Sequence, residues 1–216
     1  MKARRPGRRV MAAAFVLVLL AAAGGLALVL LRGGPSGITL PAGRSLDSAQ
    51  LEALRALPDF TLDRLGGKLT AADLRGQWSF VFFGYTNCPD ACPETLGILS
   101  HVRDGLRAQG VEPPRIVFVS LDPQRDTPQV LHDYLAEFDG SAIGATGSLE
   151  SLRGLLDFFG VSFERRPGAE HSAYTLDHTT TFFLVTPDGR WLATFAPADD
   201  PDGVLEDTAT LLRARW

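Results

Sequence analysis

Two cysteines, Cys88 and Cys92, occur in the 216 residues, inside Gly84-Tyr85-Thr86-Asn87-Cys88-Pro89-Asp90-Ala91-Cys92-Pro93 at the end of an apolar run. Each is followed by proline, which disfavours the α region for the residue before it. Both thiols are therefore expected in a turn, with Cys92 capping a helix that starts at Pro93. A thiol at a helix N-terminus ionises readily, and the thiolate is the form that ligates metals and attacks disulfides. Three kinds of chemistry fit such a pair: a structural disulfide, a redox dithiol and a copper site. A disulfide closing so short a loop constrains the unfolded chain little. The spacing exceeds the usual redox Cys-x-x-Cys by one residue. Two thiolates with an imidazole suit Cu(I), because soft sulfur selects that ion and copper also accepts histidine nitrogen.

A third ligand is the deciding question, and the chain has 4 histidines. His101 falls on the helix after Cys92 but about half a turn round it, at ~100° per residue, and so faces away. His132, beside Asp133 on an amphipathic helix, reads as solvated. His171 sits in a polar loop from Arg165 to Ser172. His178 precedes the apolar stretch Thr179–Val185 and is expected at one end of the sheet, where a ligand role is favoured over that of a core histidine.

The elements that must position these groups alternate between strand and helix. Phe60–Leu62 and Lys68–Thr70, around Gly66-Gly67, form a hairpin. Trp78–Tyr85 and Ile116–Leu121 are strands buried on both faces. A helix runs from Pro93 to about Gln109, with Leu96, Leu99, Val102 and Leu106 on one face. In Asp122-Pro123-Gln124-Arg125-Asp126-Thr127-Pro128, Thr127 caps a further helix with Pro128 at its first position, and Arg125 can pair with Asp122 or Asp126. If the two buried strands are parallel, this turn and the cysteine turn share one sheet edge. Asp90 reads as a plain turn aspartate. Short strands at Ala142–Ala145 and Val161–Phe163 flank a helix capped by Ser148 and running to Phe159. Thr180–Val185 and Trp191–Phe195 pair around Pro187-Asp188-Gly189, and a helix from about Asp202 to Ala214 closes an α/β fold with a mixed sheet.

Five basic residues precede an uncharged apolar run from Val10 to Leu31, long enough to span a bilayer core of about 30 Å. The run continues past Ala21-Ala22-Ala23, longer than the core of a cleavable signal peptide, so an uncleaved membrane anchor is favoured. Residues 1–9 are then cytoplasmic, residues 32–57 a linker with a short helix over Ser48–Leu57, and residues 58–216 the folded domain, exported to an oxidising compartment. Beyond Arg32 the chain carries all 25 acidic residues but only 15 of the 21 basic ones. That balance excludes nucleic acid as a partner.

The cysteine motif, the Asp122–Pro128 motif and Asp177-His178 before a strand, in that order, resemble the Sco/SenC family over roughly Pro58 to the C-terminus. That family comprises membrane-anchored, thioredoxin-like copper chaperones that assemble the binuclear copper centre of cytochrome c oxidase. The resemblance implies that Cys88 and Cys92 are thiolate ligands and His178 the imidazole ligand for copper, as Cu(I), Cu(II) or both. It also implies an oxidase copper-site subunit as client, with a periplasmic thiol reductant and other copper carriers as further partners, at the inner membrane. Asn87 and Ala91 depart from residues common in the family, neither of them ligands. A thiol–disulfide reductase acting on the oxidase cysteines is the alternative, with Cys88 and Cys92 as its redox pair. A thiol peroxidase is disfavoured because Tyr85, not threonine, stands three residues before Cys88.

Overall fold

The computed structural model describes residues 40, 45–167, 174–197 and 199–214; the apolar run 10–31 and His171 lie outside them. Among the described residues no helix is long and apolar enough to cross a membrane. The chain runs β1 (Gln50–Ala56), β2 (Thr61–Arg64), β3 (Gly67–Thr70), a short 3-10 turn (Ala71–Leu74), β4 (Ser79–Gly84), α1 (Ala91–Ala108), β5 (Arg115–Ser120) and α2 (Pro128–Ala136). It continues through β6 (Ile143–Thr146), α3 (Leu149–Phe159), β7 (Phe163–Pro167), β8 (Tyr174–His178), β9 (Phe182–Val185), β10 (Arg190–Phe195) and α4 (Pro201–Arg213).

Among the described residues eight strands form one mixed sheet in the order β1-β10-β9-β4-β5-β6-β2-β3, while β7 and β8 pair only with each other. At its centre β4, β5 and β6 are parallel, flanked by antiparallel β9 and β2. Alternation along β4 divides the core. Phe80 and Phe82 join Leu96, Leu99 and Val204 from α1 and α4 on one face. Val81 and Phe83 join Leu152, Leu155 and Phe159 from α3 on the other. Burial on both faces is why this strand reads as an unbroken apolar run.

Parallel pairing places Gly84 beside Ser120, so the turns that follow β4 and β5 leave the sheet at the same edge. The expected shared edge is therefore present. The expected caps of α2 and α3 are present too: Thr127 accepts from the Val130 N–H and Ser148 from the Ser151 N–H.

Three local expectations are corrected. Ser48–Leu57 is not a helix, since its central residues form β1, the edge strand beside β10. Leu-Glu-Ala-Leu-Arg-Ala has good helical propensity, but an open sheet edge offers it backbone partners that an isolated turn lacks. Upstream, the Asp207 carboxylate on α4 accepts from the backbone N–H groups of Asp47, Ser48 and Ala49 at 2.9, 2.7 and 2.8 Å.

The second correction concerns Cys92, which is not a cap. Asp90 holds the N-cap position and Cys92 lies within the first turn of α1. Proline in a first turn removes only an N–H that has no intrahelical partner, so Pro93 is accommodated inside the helix. The third concerns Arg165–Ser172. Its first residues belong to β7, and β8 follows, giving a charged two-stranded ribbon where a loop and a displaced short strand were expected.

Candidate metal centre

Cys88, Cys92 and His178 come together from two separate parts of the fold, with one ligand atom from each lying within 4.8 Å of the others. The cysteines are free thiols on the turn after β4 and the first turn of α1. His178 is the last residue of β8 and arrives on the ribbon. Its Nε2 lies 3.7 Å from Cys92 Sγ.

The ring orientation is set by one contact. His178 Nδ1 lies 2.8 Å from the Thr179 carbonyl oxygen. A carbonyl can only accept, so Nδ1 carries a hydrogen and Nε2 is the ring nitrogen that faces the sulfurs. A second partner on the non-ligating nitrogen is the usual arrangement for a metal-binding histidine. Tyr85 packs edge-on to the ring with centroids 5.8 Å apart.

The two thiols differ in character. Cys88 is pulled down to about 4, foremost by the hydrogen bond from Cys92, and further by His178 and the backbone N–H groups of Cys92 and Asp90, against the opposing effect of burial. Cys92, fully buried, is driven well above the ordinary thiol range by that same bond and by burial. The two shifts run in opposite directions, which makes Cys88 the more acidic thiol of the pair. The fold makes room for the buried sulfur with a glycine: a Cβ at Gly84 would lie 2.7 Å from Cys92 Sγ and 3.0 Å from the Phe118 ring.

The Asp122–Pro128 turn supports both halves of this group. Asp126, fully buried, accepts from the Thr86 N–H at 3.0 Å, the Thr86 hydroxyl at 2.6 Å and the Ser120 hydroxyl at 2.6 Å. It therefore pins the cysteine turn to the end of β5. Arg125 pairs with Asp122, and the Tyr174 hydroxyl donates to the same carboxylate at 2.6 Å. Both carboxylates of the turn, Asp122 and Asp126, are buried, and of the two partners foreseen for Arg125 the structure selects Asp122.

The remaining candidates sit elsewhere. His101 meets Asp202 of α4 at 2.9 Å. His132 is exposed, as is Asp90, whose side chain makes no capping bond. The sequence did not single out Gly84, Tyr85 or Asp126 as site-forming. Only the polar residues of the Asp122–Pro128 turn, lying after a strand parallel to β4, gave a usable signal.

Comparison with known proteins agrees with this geometry. The SCO1/SenC family model matches residues 48–213. A putative copper-binding protein of Stutzerimonas stutzeri is 36% identical over 148 residues, covering 67% of this chain and 72% of its own length. The SCO2 homolog of Bos taurus, a mitochondrial protein, is 32% identical over 169 residues, or 76% of this chain, which spans 64% of the bovine protein. Among solved structures, Arabidopsis thaliana ScoI with copper bound superposes with a TM-score of 0.69 at 32% identity, covering 74% of this chain and 99% of that one. Bradyrhizobium japonicum ScoI with copper bound gives 0.64 at 32% identity, with the same coverage. The mixed sheet is the thioredoxin-like fold of these proteins, and the chain belongs to the SCO1/SenC family.

Proposed function

We propose that this protein is a membrane-anchored copper metallochaperone that takes up copper through Cys88, Cys92 and His178. It would deliver the ion to the cytochrome c oxidase subunit that carries the binuclear copper site. The observation that carries the reading is the convergence of two sulfurs and one imidazole nitrogen within 4.8 Å, with the other ring nitrogen already occupied. Soft sulfur with imidazole selects copper in its reduced state. The copper bound in the Arabidopsis and Bradyrhizobium relatives supports copper as the metal.

The donor set is half exposed. Cys88 and His178 reach the surface, in a cleft of about 440 Å³ shared with Tyr85, Pro89, Asp90 and Leu176, while Cys92 is buried. Client thiolates can therefore replace Cys88 and His178 from the open side before the buried sulfur lets go. Copper uptake needs the dithiol, so a thiol reductant in the periplasm acts first. The run 10–31 supplies the anchor at the inner membrane, and residues 32 to about 45 supply reach towards the client.

One observation favours a second reading. A Cys88 thiol drawn down to about 4 suits a thiol–disulfide reductase that keeps the client cysteines reduced. Exchange chemistry does not need an imidazole ligand, and His178 is only one of several groups that depress Cys88, which separates the two. In an anaerobic Cu(I) competition titration of the reduced protein, the chaperone holds one equivalent tightly, and His178→Ala weakens it at least tenfold. Equal and weak binding by both forms, with rapid reduction of a client disulfide, would give the function to the reductase.

A further inference from the structure

The strand that carries His178 is not part of the main sheet. Among the described residues β8 is laddered only to β7. Among the described residues, its hydrogen bonds to the sheet side of the molecule run through side chains. The Tyr85 hydroxyl oxygen accepts from the Leu176 N–H at 3.2 Å. The Tyr174 hydroxyl donates to Asp122, and Arg125 Nη1 donates to the Tyr174 carbonyl at 3.1 Å.

Arg125 is at the centre of this set. Its Nε pairs with Asp122, which fixes the guanidinium on the rigid turn after β5. The guanidinium carbon then lies 3.7 Å from the Tyr174 ring centroid and 5.7 Å from that of Tyr85. One planar cation thus touches the carboxylate of the turn, the backbone at the start of β8 and the ring that packs against His178. Lysine can form the ion pair, but it lacks the fork and the flat face that reach the other two.

We propose that Arg125 is a positioning residue for the metal group. Clamped by Asp122, it holds Tyr174 and with it β8, and so sets where His178 Nε2 stands relative to Cys88 and Cys92. It touches none of the three donors. The inference rests on the reading of His178 as a copper ligand for its effect on affinity, but not for its effect on the position of the ring.

Two readouts test it on the full chain. The first is metal-free. In the reduced protein labelled at histidine, the His178 ring resonances feel the edge-on Tyr85 ring. They are expected to move towards solvent-exposed values in Arg125→Lys and, less far, in Tyr174→Phe, which loses only a hydroxyl. His178 shifts unchanged in both variants would overturn the proposal.

The second is a double-mutant cycle in the anaerobic Cu(I) titration. Arg125→Lys is expected to weaken binding about tenfold in the wild-type background and to have no effect beside His178→Ala. An equal loss in both backgrounds would mean that Arg125 acts on the fold or the thiolates rather than through His178, and would also overturn it. If His178→Ala leaves copper affinity intact while Arg125→Lys moves the His178 ring, the clamp stands and the three-ligand reading falls.

Discussion

Gly84 and Cys92 are in direct contact: the sulfur occupies the space where any other residue at position 84 would put its Cβ, 2.7 Å away. The same added methyl would lie 3.0 Å from the Phe118 ring, so it would press on two side chains at once. Gly84→Ala is expected to lower stability by about 1–3 kcal/mol, as overpacking does. It should also displace the buried sulfur and weaken Cu(I) binding. Gly97 on α1 faces open space and serves as the control. There alanine should raise stability by about 0.5–1 kcal/mol through helix propensity. Urea unfolding and the anaerobic titration read both effects.

Asp126 is a polar peg in an apolar wall. Its carboxylate satisfies the Thr86 N–H and two hydroxyls, those of Thr86 and Ser120. Asp126→Ala leaves these donors facing a void, at about 1–3 kcal/mol for a buried unsatisfied group. A loss of at least about 3 kcal/mol is expected, measured by denaturant unfolding. Cu(I) affinity should fall with it, because the cysteine turn loses its tie to β5. Thr86→Val and Ser120→Ala remove donors rather than the acceptor and are expected to cost less.

The paired thiols predict a distinct pH profile. Cys88 stays ionised down to about pH 4. Its alkylation by iodoacetamide should therefore be nearly flat from pH 8 to pH 5, while folded Cys92 resists the reagent. Mass mapping of the alkylated peptide at each pH gives the answer. In Cys92→Ser the strongest cause of the depressed value is weakened, and the inflection should move up.

Stability follows from the same shifts. A thiol whose folded pKa is depressed stabilises the fold above the unfolded value of about 8.5 and loses that contribution as pH falls towards about 4. Cys92 is shifted the opposite way, so its contribution is complete below about 8.5 and declines above it. The advantage of the reduced, metal-free protein over Cys88→Ser should therefore peak near pH 8.5 and shrink on either side. Unfolding midpoints across that range check it.

At the far edge of the sheet, one carboxylate oxygen of Asp207 takes three consecutive backbone N–H groups, from residues 47 to 49. Asp207→Ala leaves part-buried donors unpaired and should lower stability by about 2–4 kcal/mol. Amide exchange is expected to accelerate first at residues 47–56, where β1 meets β10. None of the three bonds that Asp207 accepts involves Cys88, Cys92 or His178, so copper affinity should be kept, which separates this variant from those of Gly84 and Asp126.

Sequence reading was most secure where one physical signal dominated. The doubly buried strands β4 and β5 announce themselves as apolar runs, and the caps Thr127 and Ser148 announce α2 and α3. The cysteine pair with His178 was legible because thiols and imidazoles are few in this chain. What was not legible depended on tertiary partners. β1 is a strand because β10 presents an edge to it, although its own residues favour a helix. The ribbon β7–β8 buries little and is held by cross-strand charges such as Arg166 with Asp177. No apolar alternation marks it, so it reads as a polar loop. Gly84 and Asp126 gain their roles only when the turns after β4 and β5 are brought side by side.

The ribbon also bears on the order of biosynthesis. The two cysteines are four residues apart, whereas His178 is separated from Cys92 by 86 residues. A chain leaving the ribosome N-terminus first exposes both sulfurs well before the imidazole has been synthesised. Bringing that imidazole back requires closing a long loop, and among the described residues its strand has no sheet neighbour except β7. A nascent chain thus presents the two sulfurs before the third donor of this group exists, and the Cys–Cys–His group is complete only after β8 has docked, so the intact group is a chemical signature of a docked ribbon.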